Sequence, residues 1–201
     1  IRVVEEPNIF TVDGKVEFAW LTLRNAAYYP IQTFKNLTTD PMAAVTSALA
    51  KMGDGEGAHV QIVISPADAG WKKKGRAWIG RTKKSESDPE RASYKVDPKV
   101  MEAVDNKVSK NGFQTTIRMV VSSTSSSSCK AHLSNLKAAF EQFNGDLNGF
   151  KGRKMWLKTN FMVDFIYRYQ PMLWWGNWTT LSSEELATIY HFPNKSVETP
   201  H

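Results

Sequence analysis

The sequence predicts an α+β fold. It is a four-stranded antiparallel sheet of ferredoxin-like βαββαβ order packed on two helices, with a basic insertion carrying an extra helix and a helical, aromatic-rich C-terminal appendage. Three observations predict it. Three segments alternate apolar and polar residues with the two-residue period of a strand. Segments of helical period, opened by recognisable caps, stand between and after them. The elements come in the order of two strand-helix-strand halves, each of which suits a crossover connection. On this reading residues 1–158 form the ferredoxin-like domain with its insertion at 67–111, and residues 159–201 form the appendage.

The first strand is predicted over 15–24, where Val16, Phe18 and Trp20 line one face. Asp40-Pro41 opens a helix, Asp as the cap that accepts a backbone N–H and Pro at the first helical position. That helix runs to Met52 with Val45, Leu49 and Met52 on one side, and the glycines at 53, 55 and 57 end it. The second strand, 58–65, puts Val60, Ile62 and Ile64 in line and is closed by Pro66. Residues 67–95 are polar and strongly basic. Asp97-Pro98 opens the next helix, with Val100, Val104 and Val108 at intervals of four and Gly112 as its stop. The third strand is predicted over 113–121, with Phe113, Thr115, Ile117, Met119 and Val121 in line.

Six serines between Ser122 and Ser128 read as a loop that leads to a helix cap. The helix over 129–143 places Leu133, Leu136, Phe140 and Phe143 at helical spacing. Residues 147–158 are expected to include a fourth strand, around Lys154 to Leu157. In the appendage, Phe161 to Gln170 reads as a short helix and 171–178 as an irregular aromatic patch. The segment 179–186 reads as a helix start, where Ser182 and Glu185 have the spacing of a capping box.

Composition narrows the function. A net charge of +6 and a pI near 9.3 permit an anionic partner, nucleic acid or an acidic protein, without requiring one. No apolar run reaches the roughly 18 residues of a membrane span. The lone Cys129 excludes an internal disulfide, which fits a reducing compartment, and it reads as a buried small hydrophobe. The chain starts at Ile1 directly into strand-like sequence, and both ends read as cut points in a longer polypeptide.

The chemistry is largely negative. A phosphate loop reads GxxxxGK[ST], because backbone amides wrap the phosphates while Lys and Ser/Thr serve phosphate and magnesium. No such string is present, and the Gly53–Gly57 turn carries two acids in place of the Lys. Neither GxSxG nor HExxH occurs. His59, His132, His191 and His201 are scattered with no Cys pair, so no metal site and no cofactor are expected. No catalytic residues are assigned.

Two segments stand out instead. Lys72, Lys73, Lys74, Arg76, Arg81, Lys83 and Lys84 fall within 13 residues, with Trp71 and Trp78 interleaved. Cations neutralise phosphates and exposed aromatics stack on bases, so this segment is a candidate contact for single-stranded nucleic acid or an acidic protein. The competing reading is a solvated loop whose Trp side chains plug back into the core. Glu86, Asp88 and Glu90 follow and blunt its field. The aromatic patch, with Trp174, Trp175 and Trp178, reads either as a satellite core cluster or as an interface toward a neighbouring domain.

Several stretches resemble a known family. Asp40 to Leu49 (DPMAAVTSAL), His59 to Pro66 (HVQIVISP) and Trp71-Lys72 look like the domain that precedes the motor in bacterial type IV secretion or conjugation ATPases. Leu181 to Pro193 (LSSEELATIYHFP), followed by Val197-Glu198-Thr199-Pro200, is the most specific part. It is similar to the segment just before the ATPase core in FtsK/HerA-type conjugation proteins. The resemblance covers residues 28–72 and 115–201; the basic segment between is not characteristic. It implies a cytoplasmic assembly domain at the inner face of the membrane. Its partners would be a downstream hexameric ATPase core and other secretion-complex subunits, with membrane contact only through regions outside this chain. It implies no active-site residue here, since the Walker motifs would lie beyond His201.

Overall fold

The computed structural model describes residues 8–87, 95–153, 157–171 and 179–191. The side chains of strand β1 (Lys15–Leu23) alternate between two apolar layers. Ala19, Leu21 and Leu23 face one core, while Phe18 and Trp20 face another. β1 pairs antiparallel with β3 (Gly112–Ser123), which pairs antiparallel with β2 (Gly57–Pro66). On its other side β1 pairs antiparallel with β4 (Phe150–Arg153). The order β2-β3-β1-β4 is what a ferredoxin-like βαββαβ chain requires.

Helices α1 (Pro41–Leu49) and α4 (Ser126–Ala139) cover the first face. Val45 and Ala48 of α1 and Cys129, Leu133 and Leu136 of α4 pack on Leu21, Ile117, Met119 and Val121. Asp40 caps α1 by accepting from the Met42 N–H, with Pro41 at the first position as expected. The serine run is split between two elements rather than forming a loop: Ser122 and Ser123 end β3, Ser125 caps α4, and Ser126–Ser128 form its first turn.

Four further expectations are corrected. The basic segment is a 17-residue helix, α2 (Gly70–Glu86), packed on α3 (Pro98–Ser109), and not a solvated loop. Its Trp71 joins Val104 and Val108 in a third apolar cluster with Tyr28, Trp78 and Ile79, so the plugged-in tryptophans were anticipated but the helix was not. The fourth strand lies at 150–153, inside the expected 147–158 but ahead of its expected centre; residues 154–156 are outside the described ones.

The C-terminal segment is not purely helical. Its strand β5 (Thr179–Ser182) joins the sheet, pairing with Gly112–Thr115 of β3. β1 leaves β3 at Ile117, so β5 continues the same line where β1 departs. Finally, the sheet is covered on both faces. α5 (Lys158–Ile166) lays Phe161 and Phe165 over Trp20 and Val120, with Phe161 and Phe18 stacked at 4.3 Å. This explains why nearly all of β3 is buried. α6 (Ser183–Ile189) then folds back against the first core through Ile189. Ser182 and Glu185 form the expected capping box, each side chain bonding the other's backbone N–H.

Candidate interaction surfaces

The segment that builds α2 has a sparse apolar stripe. Trp71, Gly75, Trp78, Ile79 and Thr82 recur at helical spacing and turn toward α3 and the Tyr28-Tyr29 loop. Trp78 stacks on Tyr28 with centroids 5.9 Å apart and meets Tyr29 edge-on at 5.4 Å. Gly75 lets the helices close: a Cβ there would lie 2.6 Å from Val108 and 2.9 Å from Tyr28. Trp71 fits over Gly112, where a Cβ would meet its ring at 2.5 Å.

With that stripe fixed inward, all seven cations fall on the rest of the helix circumference, an arc of about 200° at 100° per residue. Six of them, Lys73, Lys74, Arg76, Arg81, Lys83 and Lys84, are exposed. Lys72 is half-buried, with its ammonium 5.8 Å from the Trp71 ring centroid. Among the described residues none of the seven makes a salt bridge. The helix holds no acid before Glu86, whose carboxylate accepts from the Val96 N–H. Asp88 and Glu90 lie outside the described residues, as do Trp174, Trp175 and Trp178. The structure thus gathers the predicted cations on one face and takes away the aromatic partners expected beside them.

A second surface was not anticipated. β2 ends the sheet, and no described strand pairs with its outer edge. The line Val60, Ile62, Ile64 on β2 meets Met42 and Leu49 of α1 and Leu186 of α6 across an apolar groove of about 680 Å³. Ile64 is 50% exposed and Tyr190, at the groove's rim, 57%. On the opposite face of β2, His59 meets Phe165 edge-on at 5.5 Å, and burial lowers its pKa.

Buried polar links fix the elements that frame these surfaces. Lys107 of α3 and Glu185 of α6 pair at 2.9 Å, and Lys107 also donates to the Tyr29 carbonyl. Glu185 accepts from the Ile31 and Ser182 N–H groups, so a single carboxylate joins α3, α6 and the loop after β1. Burial pushes the Lys107 pKa down, against the pull of Glu185. Next to it Glu184 binds Lys110 and Lys35. His191 reaches the Asp40 cap at 2.9 Å, tying the end of α6 to the start of α1. On the other face, the buried Arg118 of β3 donates to Gln61 and to the Asp164 and Tyr169 carbonyls, which seats α5.

Sequence reasoning missed these links because pairing of distant ionic residues leaves no periodic trace; only the Ser182–Glu185 spacing gave a signal. Cys129 is fully buried, and burial raises its thiol pKa. Among the described residues no three His, Cys, Asp or Glu side chains are placed to hold a metal ion, and no helix is long and apolar enough to cross a membrane. What these surfaces offer chemically is charge on α2 and apolar contact along β2.

Compared with known proteins, the chain is matched over residues 1–201 by the family model DUF8128, a domain of unknown function. No curated protein and no solved structure matches it.

Proposed function

We propose that this chain, which belongs to the DUF8128 family, is a non-catalytic assembly domain that docks on neighbouring protein through the β2 edge and its apolar groove. The observation that carries this reading is the groove itself. Apolar side chains of β2, α1 and α6 stay partly open to solvent beside a strand edge with which no described strand pairs, which is where proteins add strands or seat helices. Exposed apolar surface of this kind marks interaction sites.

The finer proposal follows from the resemblance of Asp40–Leu49, His59–Pro66 and Leu181–Pro193 to the domain before the motor of type IV secretion and conjugation ATPases. In that setting the domain is cytoplasmic, and its partners are the ATPase core and other subunits of the secretion complex. α6 contributes both to the groove and to the most specific resembling segment.

The test uses the full-length gene product. Its oligomeric state by size-exclusion chromatography and its ATPase rate are measured for the natural protein, for Ile64→Asp with Leu186→Asp, and with residues 1–201 deleted. Weakened assembly in the double variant, whose fold is checked by circular dichroism, supports the reading. A motor that assembles and hydrolyses ATP equally well without the domain overturns it.

A further inference from the structure

We propose that the outer face of α2 binds the phosphate backbone of double-stranded nucleic acid without reading its sequence. This inference stands on α2 alone and is independent of the assembly role. The helix spans about 25 Å at 1.5 Å per residue and presents its cations as a rigid array rather than on a mobile tail. Packing against α3 holds it in place: Trp71, Val104 and Val108 are buried together, and Gly75 sits against Val108.

The chemistry of the face selects its partner. A single strand is normally gripped by aromatic stacking as well as by charge. Here Trp71 is 7% exposed and the half-buried Trp78 is held by Tyr28 stacked on it and Tyr29 edge-on to it, so neither is offered to a base. An anionic membrane is normally gripped by a basic helix that also inserts apolar side chains. No large apolar side chain of α2 is exposed. A protein interface is normally anchored by buried aromatic or aliphatic residues at its centre, and the face has none. What remains is charge alone, and the ligand that returns most for charge alone is the polyanion of highest linear density. Duplex DNA carries about one charge per 1.7 Å of axis and releases about 0.9 counterion per neutralised phosphate, against about 0.7 for a single strand.

The experiment measures fluorescence anisotropy of the 201-residue chain with a labelled random-sequence duplex, the same sequence as a single strand, vesicles containing phosphatidylserine, and poly-glutamate. Expected is duplex binding in the micromolar range, on the order of 10⁻⁴ to 10⁻⁶ M, with a steep fall in log affinity against log salt. Combined Lys73→Gln, Arg76→Gln and Lys84→Gln, all exposed, should make that slope shallower by about 3, one for each lost phosphate contact. Thermal melting of the triple variant should be unchanged; if it is not, the three single variants each lower the slope by about 1. Any of four results overturns the proposal. These are no duplex binding at low salt, a slope the variants leave unmoved, a single strand bound more tightly than the duplex, or vesicles or poly-glutamate bound at least as well as the duplex.

Discussion

The Lys107 ammonium and the Glu185 carboxylate lie 2.9 Å apart with each side chain only 2% exposed. Burial makes both charges expensive alone, and their attraction and shared backbone contacts make them tolerable together. Lys107→Met leaves the Glu185 carboxyl buried without its partner, and Glu185→Leu also strips the Ile31 and Ser182 N–H groups of their acceptor. Each should cost about 3–5 kcal/mol of stability. The double variant should cost clearly less than the sum, because it leaves no orphaned charge. Urea titration of all four proteins checks this, and strictly additive losses would refute the coupling.

Gly75 offers a sharper test of how α2 is held. In an exposed helix interior Gly→Ala stabilises by about 1 kcal/mol through propensity. Here the new methyl would fall 2.6 Å from a Val108 methyl group, inside contact distance. Gly75→Ala should therefore destabilise, by about 1–3 kcal/mol of overpacking. Gly80, with nothing within 4 Å of its added Cβ, is the matched control on the same helix and should gain stability on the same change. If both substitutions stabilise equally in thermal melts, the close α2–α3 contact is wrong.

These cases show why some of the fold was legible in the sequence and some was not. Asp40-Pro41, Asp97-Pro98 and the Ser182–Glu185 box are local signals, complete within four residues, and all three cap helices as read. α2 carries a helical stripe, but Gly75 and Thr82 interrupt its apolar residues, and seven cations dominate the segment. β5 has only Leu181 as an apolar residue among its four and is a strand because β3 is free where β1 leaves it. β4 holds Gly152 and two cations, so its pairing with β1 decides what its composition does not. The apolar groove was beyond reach for the same reason: Val60 to Ile64 read as a buried strand face, and only the assembled molecule shows that face half open.

Arg118 should be the residue that keeps α5 on the sheet. Its guanidinium reaches Gln61 and the Asp164 and Tyr169 carbonyls, with the Asp164 carboxylate at 4.0 Å. Lys offers a point charge in place of a planar fork and cannot meet several of these acceptors at once. Arg118→Lys should loosen residues 158–169 while leaving the α1/α4 face intact. Amide exchange read segment by segment checks this: protection should fall across α5 and hold in α4. Uniform loss over both faces would show that Arg118 supports the whole sheet instead.

The acid limb of stability should be set by two carboxylates on opposite sides of the first core. Glu56 has its pKa lowered chiefly by the Gly53 N–H, helped by Ser123 and by His132 at 2.9 Å. At Glu184 burial pushes upward, but the bonds from Lys110 and Lys35 outweigh it, and the net shift is also downward. For a carboxyl whose folded pKa lies below its unfolded value, the charged form is the one the fold favours. Its contribution is therefore whole above the ordinary value of 4.5 and is lost as pH falls through the lower folded value. Glu56→Gln with Glu184→Gln should be less stable than the natural chain at neutral pH, and the two curves should converge below pH 4.5. Urea midpoints taken across that range decide it. Curves that stay parallel into acid would mean that these carboxylates do not carry the pH dependence.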